Sequence, residues 1–481
     1  MIEKAAANSY LYEDVSHLIQ QMIGDGTLSP GDRVPSLRKL SRQLNLSIAT
    51  VSQAYVKLEE QGVIVSRPQS GFYVNGEHNR IDTPIHPVPR SQPRRLNLGK
   101  TIPAIFRDSR QPGVISLGVA NPATELLPFK ALTRTIRRVS SQSSEAMISY
   151  GPPEGDPELR RQIALRFSET GKPVSIDQVV ITSGATGALM IALQAVAKAG
   201  DLVAVATPSY FSTLQMIESL GILALEIESD VNTGMSIEAL ATALDNHDIK
   251  AVLVSCNFAN PTGSLMPEEN KKKLVSMLAE RNIPLIEDDV YGELYFTESK
   301  PSSCKSFDTK GLVLHCNSFS KTIAPGFRIG WVLAGQFVEK ASTLKQISSL
   351  SAPTLQQLAL AEFLAGGQYD RFLARSRRIY KQQMELMRNA IACDFPPGTR
   401  ISSPRGGFTL WIQLPRGINT FEVYNRAIEE NISITPGPLF SATEKYTNYM
   451  RLCAGILWTP DVRMAIQKLG GIISDMLAEK A

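Results

Sequence analysis

The stretch Asn317 to Trp331, NSFSKTIAPGFRIGW, decides the fold of this chain. It follows the apolar, strand-like run 312–316 and places Lys321 in a serine-rich turn. A buried amine that loses its proton can form a Schiff base with a carbonyl compound, and hydroxyls and a guanidinium beside it can bind phosphate oxygens. The turn therefore predicts a site for a carbonyl cofactor that carries a phosphate, with contacts from Ser318, Ser320 and Arg328. For this turn alone, a surface lysine after a strand is the simpler alternative.

The other apolar runs indicate an α/β domain around this turn. Strand-like runs alternate with helical stretches, which is typical of a mainly parallel sheet whose ligands gather at the carboxyl ends of the strands. The runs lie at residues 179–181, 202–206, 222–227, 251–255 and 284–287.

Unusual side chains follow several of these runs. Tyr210 could stack on a ring, Asn260 could donate a hydrogen bond from a tight turn, and Asp288 could keep a pyridine nitrogen protonated. Each has a structural alternative, namely a core tyrosine, a turn former and a helix cap. In this order, and followed by Lys321, they favour a single cofactor site.

Small residues open the helix that follows the run 179–181. Backbone N–H groups at such a helix start can bind a phosphate, although many strand-to-helix turns look alike. The residues are Ser183, Gly184 and Ala185.

The order of these motifs resembles the fold-type I pyridoxal-phosphate enzymes of the aspartate aminotransferase family, over roughly residues 114–481. The resemblance implies pyridoxal 5′-phosphate as cofactor, Lys321 as its Schiff-base lysine and Asp288 at the pyridine nitrogen. It further implies that Asn260 and Tyr291 hold the phenolic oxygen and that Tyr210 stacks on the ring. The implied phosphate contacts are Ser183, Gly184, Ala185, Ser318, Ser320 and Arg328.

The same resemblance assigns roles to two further residues of the region 114–481. Tyr150 matches a tyrosine that reaches the cofactor phosphate of the partner subunit, which implies a homodimer with shared sites. Arg451, in the strand-like run after Phe408–Leu414, matches the arginine that binds the substrate carboxylate as a bidentate pair. A surface arginine in an edge strand is the structural alternative for Arg451. The ligand implied is an amino acid or an amine.

Residues 1–76 predict a small helical domain with a hairpin. Helical spacing of apolar residues predicts a helix over 11–25, a short helix beginning at Pro35, and a third helix capped by Ser47 with a buried stripe of Val51, Ala54, Tyr55 and Leu58. Two strand-like runs, 63–65 and 72–74, then predict a hairpin. The sequence therefore predicts a winged helix-turn-helix, with a three-helix domain for protein contacts as the alternative.

The third helix presents small polar residues on its outer face, which suits a major groove of double-stranded DNA. The motif GDRVPSLRKL at 31–40 and the LEEQG at 58–62 resemble the GntR family of bacterial regulators, in which the arginine matching Arg38 touches DNA. The family often has arginine where this chain has Ile48. The predicted DNA-binding residues are Arg33, Ser36, Arg38, Ser47, Ala49, Thr50, Ser52, Gln53, Arg67 and Gly71.

Charge is distributed unevenly. Residues 1–76 hold seven basic and seven acidic residues, whereas 77–113 hold seven basic and three acidic, so the net charge of +4 lies in this proline-containing segment. The composition predicts a linker, partly extended and partly disordered. Its arginines are predicted to help hold DNA, with solvated charge as the alternative; they are Arg90, Arg94, Arg95, Arg107 and Arg110.

Length and composition agree with this organisation. The 481 residues exceed one ordinary core, and 43% hydrophobic with 20% charged residues is typical of soluble proteins. We find no run long enough for a membrane span and no signal pattern. Five scattered cysteines predict reduced thiols and a cytoplasmic location, and the spacing of the five histidines predicts no metal site.

The whole arrangement resembles the MocR subfamily of GntR-type regulators. It predicts a winged helix-turn-helix head (1–76), the linker (77–113) and a fold-type I aminotransferase-like body (114–481) with a mainly parallel sheet and a smaller C-terminal α+β subdomain at about 365–481. The implied protein is a domain-swapped homodimer that binds an operator and senses an amino acid, an amine or the cofactor itself. The alternative is an active pyridoxal-phosphate-dependent aminotransferase with a DNA-binding head, because every residue needed for transamination is present.

Overall fold

The computed structural model describes residues 11–24, 28, 32–61, 63–67, 70–75, 82–86, 101–169, 172–443 and 445–480. They divide into two compact units, which are Met1–Ile81 with Glu385–Phe395, and Asp82–Met384 with Pro396–Ala481. Across these ranges no helix is both long enough and apolar enough to cross a membrane.

The α-helices of the described residues are, in chain order, α1 (Leu11–Gly24), α2 (Leu37–Leu44), α3 (Ile48–Glu60), α4 (Thr101–Asp108), α5 (Phe129–Gln142), α6 (Ser144–Ile148), α7 (Pro157–Ser168), α8 (Gly184–Val196), α9 (Phe211–Ser219), α10 (Ile237–Asn246), α11 (Glu268–Glu280), α12 (Val338–Ser349), α13 (Thr354–Ala365), α14 (Gln368–Asp394), α15 (Thr420–Glu429) and α16 (Pro460–Ala478).

The strands of the same residues are β1 (Ile64–Arg67), β2 (Gly71–Val74), β3 (Ile115–Ser116), β4 (Val179–Thr182), β5 (Leu202–Thr207), β6 (Leu223–Asp230), β7 (Gly234–Met235), β8 (Ile249–Val254), β9 (Leu285–Asp288), β10 (Val313–Ser318), β11 (Gly330–Leu333), β12 (Arg400–Ile401), β13 (Thr409–Gln413), β14 (Ile432–Ser433), β15 (Thr435–Pro436) and β16 (Tyr449–Cys453).

The first unit contains α1, α2 and α3, followed by an antiparallel hairpin. The predicted stripe of α3 is its buried face, and β1 pairs with β2 so that Ile64 faces Val74. Ser47 caps α3 as predicted, because its Oγ accepts from the N–H of Thr50 at 3.0 Å. The predicted start of the second helix at Pro35 is wrong. Ser36 is the N-cap, its side chain accepts from the N–H of Lys39, and the helix begins at Leu37, two residues after the predicted start.

The main sheet of the second unit has the order β4-β11-β10-β9-β8-β5-β6-β7. The pairs β6–β5, β5–β8, β8–β9 and β9–β10 are parallel, as predicted. The sequence did not reveal β11, which runs antiparallel between β10 and β4. This strand is only four residues long, and it returns the chain along β10 after the turn that contains Lys321. The turn is therefore held at the carboxyl end of the sheet by strands on both sides.

A four-stranded antiparallel sheet, β12-β13-β16-β15, lies in the C-terminal part of the second unit. Both strands predicted there exist, because β13 falls within 408–414 and β16 contains Arg451. Nearby, β14 pairs in parallel with β3, which comes from the other end of this unit.

The segment 77–113 differs from an extended linker where the structure describes it. It forms α4, because Ile102 and Ile105, three residues apart, are both buried. Residues 82–86 are also attached to the C-terminal sheet, since the N–H of Ile85 donates to Gln413 at 2.9 Å. Arg90, Arg94 and Arg95 lie outside the described residues.

The packing of α3 gives a test of the first unit. Leu58 is fully buried, so Leu58→Ala should lower the free energy of unfolding of this unit by about 2–5 kcal/mol. Val56→Ala, on the exposed face of the same helix, should change it by less than about 0.5 kcal/mol. Hydrogen exchange of the amides of residues 37–60 in the full chain measures both. Equal effects of the two substitutions would contradict the assignment of the buried face.

Candidate active site

A cavity of about 560 Å³ lies at the carboxyl ends of the parallel strands of the second unit. Strand ends from separate βα units meet there, which is why residues far apart in sequence share one space. The cavity gathers most of the residues predicted for the site, namely Ala185, Tyr210, Asn260, Asp288, Tyr291, Ser318, Ser320, Lys321, Arg328 and Arg451.

Lys321 sits in the turn after β10, and its Nζ donates to the carbonyl oxygen of Ala120 at 2.6 Å. Burial lowers the pKa of this amine to about 8, and the nearby guanidinium groups of Arg451 and Arg328 act in the same direction. Asp288 and Cys453 oppose the shift. About a tenth of the amine is therefore neutral at pH 7, far more than for an ordinary lysine with a pKa of about 10.4.

Asp288 ends β9 and borders the same cavity. Burial raises the pKa of its carboxyl group to about 6, and the neighbouring Asp289 adds to the increase. The N–H of Val290, which donates to Asp288 at 3.3 Å, and the charge of Lys321 oppose it. A cationic group beside Asp288 would stabilise its ionised form, so this position suits a protonated ring nitrogen.

The start of α8 forms the phosphate end of the cavity. Ser183 precedes the helix without capping it, so the first N–H groups of α8 have no side-chain cap. Arg328 reaches this helix start, because its Nη2 donates to the carbonyl oxygen of Ser183 at 3.4 Å and its Nη1 to Ser320 Oγ at 3.5 Å. A Cβ on Gly184 would lie 2.6 Å from the Arg328 guanidinium. Backbone donors and an arginine thus converge as an anion site requires.

Arg451 also lines the cavity and is fully buried. Its guanidinium donates to Asn260 Oδ1 at 2.9 Å and to the carbonyl oxygen of Gly118 at 2.5 Å. Burial lowers the pKa of this arginine. The alternative of a surface arginine in an edge strand is therefore wrong, because β16 is an interior strand between β13 and β15. The Nε atom has no hydrogen-bond partner among the described residues.

The donor set fits pyridoxal 5′-phosphate. The buried hydroxyl of Tyr291 has no partner within the described part of the chain, although it lies in a cavity that already holds an amine, a carboxylate and an anion site. Burial raises the pKa of Tyr291 well above 10, so the hydroxyl keeps its proton and can donate it to an oxygen.

Tyr150 is not part of the cavity, and its side chain is 86% exposed. Other large apolar side chains are also exposed, namely Ile148 before it, and Ile347 and Leu350 at the end of α12. Gly151 lies beside Thr354, which starts α13 shortly after Leu350. We call the exposed apolar side chains of these segments the apolar patch, defined by Ile148, Tyr150, Ile347 and Leu350.

Sequence reasoning missed two features of the site. Arg110, which the sequence assigned to DNA, lines the cavity together with Phe106, whose ring packs edge-on against Phe211 at 5.9 Å. Asp289 accepts from Asn257 at 2.9 Å and pairs with His315 at 3.0 Å, which fixes the chain next to Asp288. The adjacent acidic residues of the sequence EDD at 287–289 could have indicated the hydrogen-bonded role of Asp289 beside Asp288.

In the first unit, the predicted DNA face is exposed where it is described. On α3, Ala49 and Gln53 are exposed and Ser52 is half-buried. The hydroxyls of Ser36 and Ser47 cap helices, and the hydroxyl of Thr50 is hydrogen-bonded to that of Ser47. Arg38 is exposed as well. The guanidinium of Arg33 lies beside Gly71 of the hairpin. Arg67 ends β1, but its side chain lies outside the described residues.

Fold and site together define a winged helix-turn-helix regulator whose second unit is built as a pyridoxal-phosphate-dependent aminotransferase. Residues 11–74 match the family model "Bacterial regulatory proteins, gntR family", and residues 112–469 match "Aminotransferase class I and II".

Known proteins are similar to the chain either along nearly its full length or over about four fifths of it. The chain is 37% identical over 467 residues to the HTH-type transcriptional regulator YdcR of Escherichia coli (strain K12), covering 97% of this chain and 99% of that protein. It is 30% identical over 382 residues to 2-aminoadipate transaminase of Thermus thermophilus, covering 79% and 94%. The crystal structure of LysN, the alpha-aminoadipate aminotransferase of Thermus thermophilus, superposes with a TM-score of 0.74 at 29% identity, covering 80% and 96%.

The chain therefore belongs to the MocR subfamily of GntR-type transcription regulators, as its sequence indicated. Its cofactor is pyridoxal 5′-phosphate, and the predicted fold class is confirmed.

The lowered pKa of Lys321 gives a test that needs no cofactor. Only the neutral amine is nucleophilic, so reductive methylation of Lys321 in the cofactor-free protein should rise with pH around a midpoint of about 8. Burial also lowers the pKa of Lys345 to about 8, but its side chain is fully buried and should stay unmodified. Mass spectrometry of the modified peptides measures both. A midpoint of Lys321 near 10 would show that the cavity does not desolvate the amine.

Proposed function

We propose that this regulator holds pyridoxal 5′-phosphate in the cavity and that Lys321 is its covalent attachment point. The observation that carries the proposal is the convergence of a half-buried lysine, a carboxylate and a helix start with an arginine in one space. Asp288 would pair with the ring nitrogen, Tyr210 would stack on the ring, and Asn260 and Tyr291 would hold the phenolic oxygen. The phosphate contacts would be Ser183, Gly184, Ala185, Ser318, Ser320 and Arg328.

When bound, the cofactor supplies a carbonyl group that reacts with amines and a ring that withdraws electrons. The residues of the chain orient a ligand next to it. Arg451 can bind a carboxylate, because its Nε is unpartnered among the described residues and Asn260, which it contacts, borders the same cavity. An amino acid is therefore the favoured class of effector.

The head supplies the regulatory output. We propose that Arg38, Arg33 and the exposed face of α3 contact operator DNA, and that the ligand state of the cavity changes this contact. The remaining proposed DNA contacts are Ser36, Ser47, Ala49, Thr50, Ser52, Gln53, Arg67 and Gly71. A ligand can shift the protein between DNA-binding states only if it binds those states with different affinity.

The coupling is tested with Lys321→Ala in the full chain. Loss of the amine should abolish retention of the cofactor through dialysis and should also remove the change in DNA affinity that ligands cause in the wild type. Lys198→Ala, at an exposed position outside the cavity, is the control. Cofactor loss combined with unchanged ligand-dependent DNA binding would refute the coupling.

A homodimer with shared sites is the assembly that we propose. The exposed apolar patch supports it, because large apolar side chains on adjacent segments are typical of an interface. Tyr150 of one subunit would then reach the phosphate of its partner, and the MocR resemblance extends the proposal to a domain-swapped dimer. A monomer in sedimentation equilibrium at micromolar concentration would contradict this arrangement.

Two alternatives predict different responses to ligands. The complete donor set supports an active aminotransferase, which release of a keto acid at ordinary enzyme rates would demonstrate. A protein that senses the cofactor itself would respond to pyridoxal 5′-phosphate and to no amino acid.

The position of Arg110 suggests which class of amino acid binds best in the cavity. It lines the cavity from the segment after α4, and none of the described carboxylates pairs with its guanidinium. The cavity already holds three other cations but a single carboxylate, Asp288. A ligand with a second acidic group would place that group at Arg110, whereas Arg451 binds the first.

Titrations of the visible absorption band of the bound cofactor test this preference. L-2-aminoadipate and L-glutamate should perturb the band at lower concentrations than L-norleucine and L-glutamine. Arg110→Gln should weaken the acidic ligands about tenfold, the value of one charge-assisted hydrogen bond, and leave the neutral ligands unchanged. Arg107→Gln, at an exposed position on α4, is the control. Equal weakening of all ligands would refute the role of Arg110.

A further inference from the structure

A second cavity lies on the surface of the second unit, between α5 and α14. Its volume is about 1280 Å³, and it shares no lining residue with the cofactor cavity. We call it the cationic groove, defined by Lys130 and Arg134 of α5 and Arg371 and Arg375 of α14. Phe129, which is 72% exposed, lies at one end of it.

Basic residues are spaced identically on the two helices. Lys130, Arg134 and Arg137 on α5 stand at positions i, i+4 and i+7, which share one helix face. Arg371, Arg375 and Arg378 repeat this spacing on α14. All six side chains are exposed. Each helix therefore presents a row of three positive charges on one face, and the first two charges of each row line the groove.

These charges are not neutralised within the described part of the chain. None of the six forms an ion pair there, whereas neighbouring arginines do: Arg138 pairs with Glu362, and Arg166 pairs with Asp370. Two acidic side chains of this region, Glu362 and Asp370, are thus already paired with other arginines. Glu125 is the one carboxylate among the lining residues of the groove. Like charges four residues apart destabilise a helix, so folding alone gives no reason for this arrangement.

We propose that the cationic groove binds the phosphate backbone of double-stranded DNA, as a second contact surface of this regulator. The proposal rests on the DNA-binding function of the chain. The head of residues 1–76 has equal numbers of basic and acidic residues, so it supplies no net attraction for DNA by itself. Unpaired cations elsewhere in the chain can supply that attraction.

The dimensions of the rows match a DNA strand. Seven helical residues span roughly 10 Å, and phosphates along one strand follow at about 3.4 Å along the duplex axis, so a row can face about three successive phosphates. Contacts of this kind are independent of base sequence and fix the position of a protein on the duplex. The groove would thus strengthen binding without adding specificity.

The experiment compares two variants of the full chain with cofactor bound. The groove variant carries Lys130→Gln, Arg134→Gln, Arg371→Gln and Arg375→Gln. The control variant carries Lys198→Gln, Lys273→Gln, Arg405→Gln and Arg416→Gln, which are also exposed and unpaired within the described residues. Both variants lose four positive charges, so their net charges are equal.

The probe is a fluorescent random-sequence duplex of about 40 base pairs, because phosphate contacts dominate sequence-independent binding. Affinity is measured between about 50 and 200 mM salt. In the groove variant, the slope of log affinity against log salt should become shallower by about 2–4, roughly 0.9 for each lost phosphate contact. The slope of the control variant should change by less than about 1.

Three other outcomes would overturn the proposal. Equal slopes in the two variants would mean that only total charge matters. A wild-type slope in the groove variant would mean that the groove does not contact DNA. A change of oligomeric state in the groove variant alone, measured by sedimentation, would mean that this face is an interface between copies of the chain. Failure of the wild type to bind any duplex would instead refute the DNA-binding function.

The visible absorption band of the cofactor and the thermal unfolding temperature serve as folding controls. Neither should change in the groove variant, because its four residues lie outside the cofactor cavity. A lost band would report misfolding of the second unit. In that case the single substitutions Arg134→Gln and Arg371→Gln provide the test, each with an expected slope change of about 0.9.

Discussion

The close approach of β11 to the start of α8 is the constraint on which the site depends. A Cβ on Gly330 would lie 2.4 Å from the carbonyl carbon of Gly184, so the two segments meet only because Gly330 has no side chain. This contact places Arg328 against the first turn of α8. Arg328 itself has a φ of 55°, a left-handed conformation that bends the chain into β11. The anion site is thus fixed by backbone packing before any side chain contributes.

Charge imbalance is the second physical property of the cavity. Four cationic side chains line it, and Asp288 is the single carboxylate among the lining residues. Burial lowers the pKa of Lys321 and raises that of Asp288, because both charged forms lose hydration there. An anionic cofactor and an anionic ligand would offset the cost of burying the cations. The excess of positive charge therefore makes the cavity selective for anions, and burial prepares the amine of Lys321 for reaction.

Anion recognition also links the two roles that we propose for the chain. In the cavity, the start of α8 and Arg328 would hold one small phosphate with fixed geometry. On the surfaces proposed for DNA, exposed arginines and lysines meet many phosphates without fixed geometry. Recognition with fixed geometry responds to the identity of a ligand, whereas recognition without fixed geometry responds to salt and total charge. A regulator needs both, since one set selects the signal and the other supplies affinity for the operator.

The sequence by itself determined the features that depend on neighbouring residues. The buried stripe of α3, its cap at Ser47, the parallel strands and the cofactor motifs around Lys321, Asp288 and Asn260 all follow from local patterns, because spacing and turn chemistry are local properties. The start of α2, the short strand β11 and the helix α4 needed the fold, since packing partners decided them. Only the tertiary structure revealed that Ala120, 201 residues away, accepts from Lys321, and that Arg110 belongs to the cavity. Such contacts join distant parts of the chain, and no local pattern encodes which distant backbone or side chain the packed sheet will bring to a given atom.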